Sequence, residues 1–274
     1  EGLTNGIPDT TGVSDTTNST TAGGTISITD VDGETYIVTL GNPGAVLTAD
    51  GLPVTWTGVG TGALTGRVET SPGNFVTVIQ ITISNTGVYS VTLSQSVDHP
   101  TINAEDIKTF VVPVSVSDGT VTVPATLTVT IEDDRPIAVD DGQTTIEGAA
   151  AFGGNVLGND QSGADTPAVV TLVGAAAIGS NTVITGTFGS LTISANGAYT
   201  YTPNASVPSG SVDSFTYTMR DADSDTSTAT LRITFAGDAN LPTASAITAS
   251  VDDDGLAGNN PASISGDLPD PQPG

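Results

Sequence analysis

Ile81-Thr-Ile-Ser-Asn-Thr-Gly-Val-Tyr-Ser-Val-Thr92 and Leu191-Thr-Ile-Ser-Ala-Asn-Gly-Ala-Tyr-Thr-Tyr-Thr202 are one phrase written twice, in gapless register 110 positions apart. Each copy holds two strand-like runs separated by a turn that ends in Gly. The echo continues downstream. Phe110 lies eight residues before Asp118 and Phe215 eight before Asp223, and Ala125-Thr-Leu127 answers Ala229-Thr-Leu231. A period near 110 is the length of one β-sandwich, not of a solenoid turn. The expected fold is therefore all-β: tandem immunoglobulin-like antiparallel β-sandwiches. Arrays of this kind usually hold something at a distance rather than catalyse.

Working outward, Ala125-Thr-Leu-Thr-Val-Thr-Ile131 alternates strictly, with Leu127, Val129 and Ile131 on one face and threonines on the other. That is a half-buried antiparallel strand. Similar segments are Thr25–Thr29, Thr35–Leu40, Phe75–Ile83, Val88–Leu93 and Thr109–Val116 in the first unit. In the second they are Ala168–Val173, Leu191–Ser194, Ala198–Thr202, Ser214–Met219 and Ala229–Phe235. A single helical turn is expected at Asn103–Ile107. Pro113 and Pro124 cannot donate to a ladder, so each is expected on an edge strand or a bulge. Tyr89 and Tyr199 follow the Gly of the repeated turn and are expected in the core with the hydroxyl at its rim.

The units are expected to span 1–135 and 136–238, with 239–274 the start of a truncated third repeat. Val251-Asp-Asp-Asp-Gly255 resembles Val139-Asp-Asp-Gly142, the opening of the second unit. Residues 1–24 lack that opening, so the first unit is expected to be missing its first strand, which a neighbouring molecule's tail would be able to supply. Glu1 does not read as a native start, and the sequence is expected to be a fragment.

The 274 residues carry 30 Asp and Glu against 5 Lys and Arg, a net charge of −25. Phosphate backbones and anionic membrane surfaces need clustered cations, so nucleic acid and membrane are poor partners. No apolar run approaches a membrane span, and the absence of Cys excludes disulfide staples. The acids gather in short loops. Calcium takes about six to eight oxygens from carboxylates, carbonyls and water, and an Asp-x-Asp turn converges alternate residues on one ion. The candidates are Asp30, Asp32 and Glu34; Asp221, Asp223 and Asp225; and Asp160 with Asp165. A second class sits at the junctions: Glu132, Asp133 and Asp134 close the first unit, Asp140 and Asp141 open the second, and Asp252, Asp253 and Asp254 open the third. Asp118-Gly119, in a hairpin turn, is expected at the same end of the first unit as the linker. Acids meeting there without Lys or Arg would repel, and calcium would make them a clamp.

These stretches resemble the repeat domains of large type I-secreted RTX adhesins of Gram-negative bacteria, with their immunoglobulin-like, cadherin-like and VCBS-type repeats. In the first unit Glu1-Gly-Leu-Thr-Asn-Gly-Ile7, Val97-Asp-His-Pro100 and Val114-Ser-Val-Ser-Asp-Gly-Thr120 carry the likeness. In the second Asn155-Val-Leu-Gly-Asn-Asp160 and Phe215-Thr-Tyr-Thr-Met-Arg-Asp221 carry it. The resemblance implies secreted, cell-surface extender modules stiffened by calcium at their linkers, with neighbouring repeats as partners and a host or surface glycan or protein bound by other regions. It carries over Asp118, Glu132, Asp134, Asp160 and Asp223 as ligands. It makes Asp98-His99 a structural turn. The glycine-rich nonapeptide of the RTX name is absent.

No nucleophile elbow, zinc motif or phosphate loop accompanies His99, the only histidine, so no enzyme is expected. The alternative reading is a sugar- or peptide-binding module in the same adhesin, because the first unit is the longer and its excess would build a loop around Trp56 or Asn103–Lys108.

Overall fold

A computed structural model of the chain describes residues 2–8, 18–29, 35–99, 101–103, 106–237 and 245–248. The described residues contain strands, turns and loops and no helix. Up to residue 132 the strands are β1 (Thr21–Thr25), β2 (Ile37–Leu40), β3 (Thr48–Ala49), β4 (Leu52–Pro53), β5 (Thr55–Thr57), β6 (Ala63–Ser71), β7 (Asn74–Ile83), β8 (Val88–Leu93), β9 (Ile107–Ser117) and β10 (Thr122–Glu132). Beyond it run β11 (Asp141–Thr145), β12 (Phe152–Asn155), β13 (Val169–Val173), β14 (Ala176–Ala177), β15 (Thr182–Thr185), β16 (Gly189–Ile193), β17 (Ala198–Pro203), β18 (Val212–Arg220) and β19 (Thr226–Phe235).

Alternation along these strands puts every second residue inside, and the buried faces close into two separate cores. Leu40, Leu64, Val78, Ile79, Ile81 and Val112 anchor the first. Leu191, Tyr201, Tyr217, Met219, Ile233 and Phe235 anchor the second. Residues 1–239 form one compact unit that holds both cores, and 240–274 form another, of which only 245–248 are described. The predicted opening of a third repeat at Asp252, Asp253 and Asp254 therefore lies outside the described residues.

The two sandwiches share the strands of the repeat but differ at their edges. The first has sheets β1-β8-β7-β6-β5 and β10-β9-β2, and the second has β12-β17-β16-β15 and β11-β19-β18-β13-β14. The repeated phrase is the hairpin β7–β8 in one and β16–β17 in the other. Its turn is closed identically: Gly87 N–H donates to Ser84 O and Gly197 N–H to Ser194 O. Both glycines have positive φ, 81° and 80°, which L side chains rarely adopt. Pairing is antiparallel throughout except that β11 runs parallel to β19. The first sandwich has no counterpart of β11 among the described residues.

Two local expectations are corrected, and a third lies partly outside the described residues. The strand expected at Thr25–Thr29 lies instead at Thr21–Thr25, through Ala22-Gly-Gly24. Glycine argues against a strand, but here it makes room: a Cβ on Gly24 would stand 2.7 Å from the Tyr89 hydroxyl, and one on Gly154 2.7 Å from that of Tyr199. Pro124 lies on the edge strand β10, as expected, but Pro113 sits in the central strand β9 with no bulge in its register to β10. Its carbonyl accepts from Gly41 N–H, so its nitrogen faces the same side, just past the end of β2, where no donor is required. The turn expected at Asn103–Ile107 falls partly outside the described residues, and Ile107 already belongs to β9.

Candidate metal centre

The carboxylates converge where β10 of the first sandwich passes through Asp133-Asp134-Arg135-Pro136 into the second. Asp133 N–H donates to Asp106 O, which fastens the linker to the first sandwich. Its own Oδ1 accepts Asp134 N–H at 2.9 Å. Asp134 Oδ2 accepts Ile7 N–H from one side and Ala164 N–H from the other, each at 3.0 Å. From the second sandwich comes the β18–β19 turn, Asp221–Asp225. Asp221 Oδ1 accepts Ser224 N–H at 3.0 Å and Asp225 N–H at 2.7 Å, so the Asp-x-Asp-x-Asp segment curls around one carboxylate. The loop before β9 grips this turn: Asn103 donates its N–H to Asp225 Oδ1, and its side-chain oxygen accepts Thr226 N–H at 2.8 Å.

Three sets of side chains bring oxygen or nitrogen ligand atoms within 4.8 Å of one another: Asp133, Asp165 and Asp223; Asp221, Asp223 and Asp225; and His99, Asp106 and Asp133. Asp133 and Asp223 each belong to two sets, so the sets form one continuous cluster across the joint. Asp133, Asp165, Asp221 and Asp225 are all at most 4% exposed. Oδ2 of Asp133, Asp221 and Asp225, and Oδ1 of Asp223, are buried and have no hydrogen-bond partner. Arg135 reaches Asp225 only at 3.9 Å. Burying a carboxylate oxygen without a partner is costly, and the titration behaviour registers that cost. Burial, helped by the charges of Asp223, Asp225 and Asp165, pushes Asp133 up to about 8. Burial pushes Asp165 up to about 7, with Asp223 and Asp134 adding repulsion. Asp221 is raised by burial and by its neighbour Asp223, and Asp225 and Asp134 are raised by burial. Buried and short of hydrogen-bond donors, the carboxylates of Asp133, Asp165, Asp221, Asp223 and Asp225 offer oxygen ligands alone and fit a hard divalent cation.

The remaining predicted ligands fall elsewhere. Asp141 and Asp160 meet at Tyr217, whose hydroxyl lies 3.2 Å from Asp141 Oδ2 and 3.0 Å from Asp160 Oδ1. Burial pushes Asp141 up to about 6. Asp140 turns away and accepts Thr230 N–H at 2.8 Å. Glu132 ends β10 and enters none of the three sets. Asp30, Asp32 and Glu34, with Asp252, Asp253 and Asp254, lie outside the described residues.

The placement of Asp118 is corrected. β10 pairs with β9 along its whole length, Thr122 with Ser117 at one end and Glu132 with Ile107 at the other, and Pro124 does not break the register. A strand of 11 residues carries the turn about 33 Å from the linker, so Asp118 is at the opposite pole. It accepts Thr120 and Val121 N–H at 2.6 and 2.7 Å, and those bonds lower its pKa. In the repeat Asp118 corresponds to Asp223, each in the turn between the last two strands of its sandwich. Sequence reasoning missed Asp106, which accepts or shares the His99 Nδ1 proton at 2.7 Å and takes Thr101 N–H at 2.9 Å. It also missed Asn103 as the clasp. His99 is structural to the extent of that pairing, yet it also borders Asp133.

Residues 133–237, the second sandwich with its linker, match the family model described as bacterial cadherin-like domain. No curated protein matches. Solved structures overlap loosely. Mouse cadherin-23 repeats EC22-24 give 15% identity over 77% of this chain and 67% of that one, TM-score 0.28. Protocadherin GammaB4 gives 12% over 76% and 34%, TM-score 0.28. An endo-fucoidan hydrolase of glycoside hydrolase family 107 gives 13% over 74% and 24%, TM-score 0.24. The chain spans a minor part of the last two, and overlaps this loose carry no argument. Among the described residues no helix is long and apolar enough to cross a membrane.

Proposed function

We propose that this chain is a calcium-stiffened, non-enzymatic spacer of an extracellular adhesive protein, in which the joint between the two sandwiches is locked by divalent cations. One observation carries the reading: four buried carboxylate oxygens without hydrogen-bond partners, on Asp133, Asp221, Asp223 and Asp225, converge at the only covalent connection between two cores. Calcium would supply there the positive charge that the protein withholds. Asp133, Asp165 and Asp223 would hold one ion between the linker and the second sandwich, and Asp221 and Asp225 would hold a second one beside it. Cadherin-like neighbours in sequence are the natural partners of such a joint, and secretion to a Gram-negative surface is the setting this reading favours.

Extracellular modules bind calcium with dissociation constants of about 10⁻⁴–10⁻³ M, and at 100 times that constant one ion adds about 2.7 kcal/mol to the state that binds it. The test is melting temperature and radius of gyration in millimolar calcium and in chelator. A higher melting temperature and a narrower, more extended distribution in calcium are expected. Identical values in both would reduce the carboxylates to solubilising groups.

A further inference from the structure

One of the three sets at the joint is chemically unlike the other two. Asp133, Asp165 and Asp223, like Asp221, Asp223 and Asp225, offer carboxylate oxygen alone, whereas His99, Asp106 and Asp133 add an imidazole nitrogen. Calcium seeks oxygen, and imidazole suits zinc and its transition-metal neighbours instead. The histidine is built into the fold. Its side chain is 3% exposed, and its Nδ1 lies 2.7 Å from Asp106 Oδ1. Asp106 is fixed in turn: its Oδ2 accepts Thr101 N–H at 2.9 Å, and its backbone carbonyl accepts Asp133 N–H at 3.0 Å. The His99 turn, the entry to β9 and the linker are thus held together by the protein's own bonds. Asp133 Oδ1 takes Asp134 N–H, but Oδ2, on a residue only 3% exposed, is buried and has no hydrogen-bond partner. A cavity of about 20 Å³ lies against His99, Asp133, Asp134 and Asp165, enough for one water.

We infer that His99, Asp106 and Asp133 form a site for a borderline divalent transition-metal ion, zinc in type, on the first-sandwich side of the joint and chemically distinct from the carboxylate-only sets. Zinc bonds of about 2.1 Å put tetrahedral ligand atoms about 3.4 Å apart. The three ligand atoms already lie within 4.8 Å of one another, so small side-chain rotations bring them to bonding distance. Two carboxylates and a neutral imidazole balance the charge of one divalent ion, and the ion gives the orphaned Asp133 oxygen a partner. Three protein ligands leave a fourth position for water, for which the cavity has room. With no cysteine and one histidine in 274 residues, this is the one place where the chain offers zinc an imidazole or a thiolate. The site shares Asp133 with the calcium reading but does not depend on it.

The single histidine makes the test specific. Proton NMR of the full chain at neutral pH is followed through the imidazole C–H signals of His99 while zinc is added in millimolar calcium. The signals are expected to move and to saturate at one zinc per chain, and to stay in place when magnesium is added instead. Signals unmoved by excess zinc overturn the inference. So does an equal response to magnesium, which would make His99 a bystander to oxygen-seeking ions. His99→Gln supplies a second readout. One equivalent of zinc on top of calcium is expected to raise the melting temperature of the unsubstituted chain by several degrees and to leave that of His99→Gln where it was. A zinc response that survives the substitution overturns the inference. The spectrum, taken on the unsubstituted chain, decides alone should the variant fail to fold. A chain that answers zinc through His99 but is indifferent to calcium sinks the calcium reading and leaves this site standing.

Discussion

At the scale of the residue, the joint is governed by what happens to Asp133 and Asp165. Their folded-state values, about 8 and about 7, stand above the ordinary 3.8. Between these limits the folded chain keeps protons that the unfolded chain has released, so without metal the stability falls as pH rises. In chelator the melting temperature is expected to be higher at pH 5 than at pH 8, as calorimetry will read, and a rise toward pH 8 would mean that these carboxyls are not desolvated. Calcium needs the deprotonated form, so its stabilising effect is expected to grow over the same interval. Asp133→Asn separates the two effects. The amide keeps an oxygen for Asp134 N–H and removes one charge, so at pH 8 it is expected to raise the melting temperature in chelator and to shrink the rise that calcium gives. An unchanged calcium response would remove Asp133 from the ligand set. Asp133, Asp223 and Asp225 were legible as candidates because acids clustered in turns and far outnumbering the basic residues stand out in a sequence. Asp106 and Asn103 were not: one sits beside a lone histidine that reads as a turn, the other is a neutral amide, and only their placement opposite the Asp221–Asp225 turn gives them a role.

At the scale of the element, the repeated hairpin was the most legible part of the chain. Its alternation, its Gly and its Tyr each have a local cause, and the causes agree. Gly197 is the sharpest local requirement, since a Cβ there would meet the Leu157 side chain at 2.7 Å on a backbone with φ of 80°. Gly197→Ala is expected to destabilise the fold by more than about 1 kcal/mol, read as a lower midpoint in urea. A neutral result would show that the turn has slack the packing does not suggest. Other strands were hidden for physical reasons. β1 and β12 run through Gly-Gly, which propensity assigns to loops, because a tyrosine ring lies across them. β6 was hidden because Gly66, Arg67 and Glu69 break its apolar alternation at two irregularities in its pairing with β7. Pro113 misled in the opposite direction, since a proline marks an edge only if its nitrogen faces a strand, and β2 stops one residue short of requiring that.

At the scale of the whole molecule, Asp134 ties three pieces together: the segment holding Ile7, the linker, and the loop holding Ala164. Asp134→Ala is expected to cost about 1–3 kcal/mol through the two amides left without their acceptor, and to broaden the distribution of interdomain angles in solution scattering at millimolar calcium. A scattering profile identical to that of the unsubstituted chain would show that other contacts set the angle. What the sequence determined by itself was the all-β class, the tandem sandwiches and the acidic turns, because period, alternation and turn chemistry are local properties that each copy states independently. What only the tertiary structure decided was which acids meet. Asp118 and Asp223 hold corresponding places in the repeat, each in the turn between the last two strands of its sandwich. One lies about 33 Å from the linker and the other lies against it, because a strand carries its two ends to opposite poles, and the linker joins the last strand of one sandwich to the first pole of the next.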